Sequence, residues 1–268
     1  MINNYMNQEG LMKKTLFGTI FTFALMLATS CNADDENICT DRPGKATSSC
    51  TVPSEHFQIE SDIYSGTFNR NPSSTSATIA DATIKYGLLN NLDIEFTLSP
   101  YNYSRHDNDH SVSGFGDVYA KVKYHFYHST SLDVAIIPVI KIPTAHSILG
   151  NGNWEGAIQL PINYQIIGPW SLTTTPEIDF VKNSDNRGTH LALQQAVSIN
   201  NAVSKTVTIS GEVWTSQDFD RVVTRQYSAD VSIAWQQSPT LQFDFGINFG
   251  LNSATPATQF YLGISKRF

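Results

Sequence analysis

The sequence predicts an all-β fold, specifically a single transmembrane antiparallel up-and-down β-barrel of about 12 strands that follows a cleaved signal peptide. Three observations support this prediction. The N-terminus has the features of an export signal, long segments alternate between apolar and polar residues, and the final strand ends on Phe268. Charged residues make up only 15% of the 268-residue chain and apolar residues 41%, a composition that a soluble all-β protein could share.

The N-terminus is organised as a secretory signal. Lys13 and Lys14 precede an apolar stretch, 16–29, that ends in small residues and is too short to span a membrane as a helix, which needs about 20 residues. We expect residues 1–33 to form the signal peptide, with Met12 as the start. A lipoprotein signal that is acylated at Cys31 is the alternative, and both versions export the protein.

Residues 34–53 form a polar segment without alternation, which is too short to be a domain. It contains Cys39 and Cys50, and two cysteines this close in an oxidising compartment favour a disulfide between them. The segment is either a periplasmic extension or a small insert that folds into the mouth of the barrel.

The barrel is predicted over residues 54–268, where most segments are long enough for tilted membrane strands of about 9–11 residues. Soluble strands are commonly about 5–6 residues long. Twelve alternating segments are expected at 54–68, 76–88, 92–103, 114–127, 131–142, 154–165, 170–181, 189–200, 205–215, 224–236, 241–251 and 257–268. The connections between them are alternately short and mostly longer, as in outer-membrane barrels. Pro138, Pro161 and Pro176 lie inside predicted strands, where we expect local bulges or kinks.

Alternation assigns each residue to the lipid or to the lumen. Phe245 and Val122 are expected to face lipid, and the intervening charges must face water or pair across the interior, since a Lys or Arg at the bilayer midplane costs about 2–4 kcal/mol. The lumen-lining candidates are Glu60, Lys85, Glu95, Asp117, Tyr119, Lys121, Lys123, Glu177, Asp179, Glu212, Asp230, Asp244 and Arg267.

Several motifs give the mature chain a resemblance to a known family. They include Cys39–Lys45 (CTDRPGK), Cys50–Pro53 (CTVP), Lys141–Thr144 (KIPT) and Leu160–Tyr164 (LPINY). In order and in sequence they resemble the outer-membrane transporter family of the phenol-degradation meta-pathway. The resemblance implies a porin-like channel in the outer membrane of a Gram-negative cell, for passive passage of small solutes such as aromatic or hydrophobic compounds.

The expected partners follow from this placement. They are outer-membrane lipid and lipopolysaccharide, small-molecule solutes, and the outer-membrane assembly machinery that would recognise Phe268. The formal net charge of −7 argues against nucleic acid. No catalytic residues, cofactor or metal site are expected. His106, Asp107, Asp109 and His110 sit together in one loop and could bind a metal at low affinity, but a solvated polar loop is the preferred explanation.

Three other functions stay open at this point. The lumen charges could pair and close the interior, which would make a structural barrel without transport. An outer-membrane enzyme is possible in principle, although no nucleophile elbow, phosphate loop or HExxH motif is present. A soluble lipocalin-like binding protein would need an apolar interior, whereas here the charges lie on the face opposite the apolar stripe.

Overall fold

The structure is a computed structural model that describes residues 37–70, 73–106, 111–145, 149–220 and 224–268. The expected signal peptide and Cys31 therefore lie outside the described residues. All regular secondary structure in the described ranges is β-strand, and they contain no helix long and apolar enough to cross a membrane. 

The strands form one antiparallel sheet that closes on itself, because the first strand pairs with both the second and the last. In chain order they are β1 Phe57–Arg70, β2 Ser73–Leu89, β3 Leu92–Leu98, β4 Tyr101–His106, β5 Val112–Gly114, β6 Val118–His128, β7 Leu132–Ile142, β8 Glu155–Gln159, β9 Ile162–Ile167, β10 Trp170–Lys182, β11 Thr189–Ala202, β12 Val207–Asp218, β13 Thr224–Ser238, β14 Leu241–Gly250 and β15 Thr258–Arg267. 

Three pairs of these strands are halves of one interrupted strand, namely β3 with β4, β5 with β6, and β8 with β9. The barrel therefore has the 12 antiparallel strands that the sequence predicts, since 15 elements contain three such pairs. Each of two interruptions coincides with a proline, Pro100 after β3 and Pro161 between β8 and β9, because a proline cannot donate a hydrogen bond to the ladder.

The other two in-strand prolines also meet irregular pairing. The ladder between β6 and β7 skips Val122 and Lys123, opposite Pro138. Pro176 lies in β10 beside the β8–β9 break, where its carbonyl accepts a hydrogen bond of 3.0 Å from the Leu160 amide. The sheet thus tolerates these prolines by directing each missing amide towards a gap in the ladder.

The connection between β1 and β2 is shorter than predicted. Residues 69–75 were expected to form a long loop, but β1 continues to Arg70 and β2 begins at Ser73. The Ser- and Thr-rich start of β2 continues the ladder without apolar alternation, since backbone pairing with β1 holds this end of the hairpin together.

The outer surface of the barrel is apolar and its interior is polar. Phe245, Val122 and Leu262 are 42%, 37% and 44% exposed, whereas Asp244, Lys123 and Ser265 are 3% or less exposed. Exposed aromatic side chains concentrate at the two ends: Phe126, Tyr164, Trp170, Trp235 and Phe268 at the end with short turns, and Tyr101, Trp154, Phe180 and Phe249 at the other. An apolar band between two aromatic girdles is the surface of a membrane-spanning barrel.

Candidate functional site: the lumen and its N-terminal plug

Residues 37–53 lie inside the barrel, near the end where the turns are short and where both β1 begins and β15 ends. We call them the plug. Of the two placements that the sequence leaves open, the insert in the barrel mouth is the one observed. Cys39 and Cys50 form the expected disulfide and close the plug into a loop. The Ile38 amide donates a hydrogen bond of 2.6 Å to the carbonyl of Pro239 in the β13–β14 turn.

Asp41 connects the plug to two buried lysines of the barrel wall. Its carboxylate lies 2.5 Å from Nζ of Lys85 and 2.6 Å from Nζ of Lys123. Glu60 and Glu95 approach the same lysines, Glu60 at 2.6 Å from Lys85 and Glu95 at 3.4 Å from Lys123. Burial opposes ionisation of Asp41, but the charges of Lys123 and Lys85 outweigh it and hold the pKa of this carboxyl well below its usual range.

Arg42 makes a second set of ionic contacts, with carboxylates of β1 and β14. Its guanidinium lies 2.7 Å from Asp62 and 2.8 Å from Asp244. Burial alone would lower the pKa of Arg42, but hydrogen bonding and ion pairing with Asp244 and Asp62 raise it above its ordinary value. Gly263 makes room for this pair, because a Cβ there would lie 2.1 Å from the Arg42 guanidinium. 

The middle of the plug is held through its backbone. Glu212 of β12 accepts hydrogen bonds of 2.8 Å from the amides of Lys45 and Ala46. Gly44 permits this approach, since a Cβ there would come within 2.5 Å of the Glu212 carboxylate. The Lys45 ammonium lies 5.0 Å from the ring centre of Trp214, and burial lowers the pKa of Lys45 in spite of the nearby Glu212 charge.

The last part of the plug crosses the lumen against β9 and β10. The Thr47 amide donates a hydrogen bond of 2.9 Å to Thr175, and the Ser49 amide donates one of 2.7 Å to Asn163. The Val52 amide then donates to Asp93 of β3 at 2.8 Å. The plug therefore contacts strands all around the lumen rather than one side of it.

The half of the lumen nearer the long loops contains an open cavity of about 460 Å³, which we call the outer vestibule. Its wall carries Lys121, Lys141, Glu155, Glu177, Asp179 and Asp218 among neutral polar residues and small apolar ones such as Val139 and Val181. Lys141 is 2.5 Å from Glu155. Glu177 and Asp179 accept hydrogen bonds from Gln159 and Gln194 at 3.1 and 2.9 Å. Four carboxylates face two lysines, so the vestibule is acidic.

The lumen-lining candidates divide between these two regions. Those that contact the plug or its lysine partners are Glu60, Lys85, Glu95, Lys123, Glu212, Asp244 and Arg267. Those that line the vestibule are Tyr119, Lys121, Glu177 and Asp179. Asp117 lies at its edge, 3.5 Å from Lys141, and Asp230 accepts a hydrogen bond of 3.0 Å from the Tyr261 hydroxyl. 

Comparison with known proteins identifies the family. A family model described as "Putative MetA-pathway of phenol degradation" matches residues 40–268. The chain belongs to this family. The match begins inside the plug and runs to the last residue, so it includes most of the plug and the whole barrel. No curated protein sequence matches the chain.

Solved structures agree with the family on the fold. The chain is similar to the COG4313 outer membrane channel from Pseudomonas putida F1, with a TM-score of 0.68 and 12% identity over 85% of this chain and 99% of that one. It is also similar to the NanC porin, with a TM-score of 0.53 and 7% identity over 78% and 98% of the two chains. At these identities the likeness shows the fold alone, which is that of outer-membrane barrels.

Sequence reasoning missed the two plug residues that form ion pairs with the barrel wall. Asp41 and Arg42 were not among the candidates, since no periodicity places residues outside the strands. The available signal was charge complementarity: the plug offers an acid and a base, and the predicted lumen contained both signs. The expected polar loop that includes Asp107, Asp109 and His110 lies outside the described residues.

Proposed function

We propose that the protein is a passive channel of the bacterial outer membrane in which the plug forms the narrowest point of the path. The observation that carries this proposal is a series of three cavities within the described part of the barrel, with residues of the plug between the second and the third. The barrel supplies the wall, with an apolar outer band that matches a lipid bilayer. An N-terminal signal peptide, 1–33, would export the chain, and Phe268 would present the last strand to the assembly machinery.

The path begins at the outer vestibule. It continues into a smaller cavity of about 180 Å³ beside Lys45 and Trp214, and both cavities are lined by Glu177 and Gln194. A third cavity, of about 430 Å³, opens at the short-turn end beside the disulfide. Residues 47–49 of the plug lie between the second cavity and the third, bonded to Thr175 and Asn163. We infer that these three plug residues form the constriction.

The chemistry of the path favours small hydrated solutes. Each of the three cavities has charged or polar side chains in its lining, and these stabilise solutes that keep their water or offer hydrogen bonds. Phenols and other small aromatic compounds with a hydroxyl group meet this requirement, and the family description links them to the chain.

A second function, a closed structural barrel, rests on a specific observation. The plug is fixed by the ion pairs of Asp41 and Arg42, and an immobile plug would keep residues 47–49 in the path. The neighbours are described as a channel and a porin rather than as enzymes, which favours transport over catalysis, and the absence of catalytic activity remains a prediction.

Planar-bilayer conductance and solute flux into liposomes distinguish these functions. The mature protein should give discrete conductance steps and should pass phenol and small sugars down a gradient without an energy source. If the protein shows the heat-modifiable mobility of a folded barrel but gives no conductance and no flux, the channel is rejected and the structural barrel remains.

A further inference from the structure

Two histidines and an aspartate meet at the turn between β6 and β7, outside the contacts that hold the plug. His125 and His128 come from the end of β6, and Asp133 comes from the start of β7. One ligand atom from each of the three lies within 4.8 Å of the other two. Asp133 Oδ1 is 3.2 Å from Nε2 of His125 and also contacts Nδ1 of His128.

An irregularity in β6 creates this cluster. In a regular strand, residues three apart point to opposite faces, so His125 and His128 would be separated by the wall. The pairing between β6 and β7 shifts between His125 and Tyr127, and this shift brings both imidazoles to the side of Asp133, which pairs with His128. Bulges commonly redirect a side chain in this way. Strict alternation therefore gave no indication of a metal site here.

The cluster is partly sheltered and open to water on one side. The His125 side chain is 10% exposed, that of Asp133 is 32% exposed, and that of His128 is 61% exposed. All three line the cavity of about 430 Å³ at the short-turn end, together with Cys39, Cys50 and other plug residues. An ion from the solution on this side can reach the three donors without crossing the plug.

We propose that His125, His128 and Asp133 bind a divalent metal ion of the class that includes Zn²⁺, Ni²⁺ and Cu²⁺. Two imidazoles and one carboxylate are the donors that these ions prefer, whereas Ca²⁺ and Mg²⁺ take oxygen ligands. Three protein donors leave at least one coordination position for water or a solute from the cavity. The competing explanation is that Asp133 only accepts hydrogen bonds from the two imidazoles.

Calorimetric titration of Zn²⁺ alone into the untagged mature protein in detergent tests the site. We expect one Zn²⁺ per chain, with weaker binding at acidic pH because protons compete for the imidazoles. His125→Gln, His128→Gln and Asp133→Asn should each weaken binding at least about tenfold, since even the loss of a second-shell partner costs that much. Ca²⁺ should not compete.

His190 and Asp218 provide a matched control at the other end of the barrel, where a single imidazole lies 2.8 Å from a carboxylate. His190→Gln should leave Zn²⁺ binding unchanged. Cu²⁺ binding followed by electron paramagnetic resonance gives a second measurement, which should show two coordinating nitrogens and lose one in His128→Gln. Stoichiometric binding that survives all three ligand substitutions, or an absence of saturable Zn²⁺ binding by the folded barrel, would overturn the proposal.

Discussion

The two halves of the lumen use similar charged residues in different ways. In the half nearer the short turns, Lys85 and Lys123 are almost fully buried and share the carboxylate of Asp41, which the plug supplies. In the half nearer the long loops, Glu177 and Asp179 face an open cavity and are bonded to neutral glutamines. The difference shows that strand alternation places charged residues in the lumen, whereas the plug, which lies outside the strands, determines which half of the lumen is filled.

The ion pairs of the plug also have different effects on the position of the plug and on the stability of the barrel. Buried ion pairs contribute little net stability, but removal of one partner leaves an uncompensated charge. The pairs of Asp41 and Arg42 therefore fix where the plug sits more than they stabilise the barrel. Five predictions test this difference, from the largest expected effect to the smallest.

Deletion of the plug, residues 37–53, should have the largest effect. Removal of the plug joins the three cavities, so single-channel conductance in planar bilayers should rise several-fold over the intact protein. The closed sheet does not depend on the plug for its pairing, and the heat-modifiable band should persist. Equal conductance of the two folded proteins would show that the constriction lies elsewhere.

Asp41→Asn should release the plug without a change in its size. The substitution removes the charge shared by Lys85 and Lys123, which should weaken plug docking by about 3 kcal/mol. Bilayer recordings should then show frequent transitions to the conductance of the deletion variant. Asp185→Asn, in a loop at the other end of the barrel, is the matched control and should give the same recordings as the parent protein. If Asp41→Asn also gives the recordings of the parent protein, the contacts of Asp41 with Lys85 and Lys123 do not hold the plug.

Cys39→Ser together with Cys50→Ser should loosen the plug to a smaller extent. The disulfide closes a short loop, so its entropic contribution is at most about 3 kcal/mol, while the contacts of Asp41, Arg42 and Glu212 remain. We expect longer open times in bilayers and the same effect from a reductant on the parent protein. A reductant that changes the conductance of the double-serine variant equally would exclude the disulfide as its target.

Glu177→Gln with Asp179→Asn should alter selectivity and leave assembly intact. The vestibule has more carboxylates than lysines, so the parent channel should prefer cations weakly. Neutralisation of two carboxylates should shift the reversal potential in a salt gradient towards that of an unselective pore. Asp230→Asn, on a carboxylate bonded to Tyr261 outside the vestibule, should shift it less.

Acidification should have the smallest effect over the ordinary pH range. Because the pKa of Asp41 is lowered in the docked plug, its contribution to docking is fully present above the unfolded value of about 3.9 and declines as pH falls below it. Open probability should stay constant between about pH 8 and pH 5 and rise in more acidic solution. A steep rise between pH 7 and pH 6 would indicate that another group controls the plug.

The strands could be predicted from the sequence because one physical constraint governs them. A residue such as Phe245 must match lipid and its neighbour Asp244 must match the interior, so period-two alternation gave the 12-strand barrel directly. The prolines were harder to place, since their effect depends on which partner strand is interrupted. Pro138 keeps its strand continuous, whereas Pro161 divides β8 from β9.

The interior contacts could be predicted only in part. The alternating pattern assigned Lys123 and Glu212 to the lumen, but not their partners, because Asp41 and Arg42 reach them from a segment without periodicity. His125 and His128 were missed for the opposite reason, since a local bulge breaks the alternation that placed everything else.

Accessibility of two positions on one strand tests the central claim most directly. Gln194 lines the outer vestibule, whereas Ser198, on the same face of β11, is buried at the level where Ser49 of the plug crosses. A charged, membrane-impermeant thiol reagent added on the long-loop side should label Gln194→Cys rapidly and Ser198→Cys slowly, and deletion of the plug should make the two rates similar. Rapid labelling of Ser198→Cys with the plug and its disulfide in place would contradict the account.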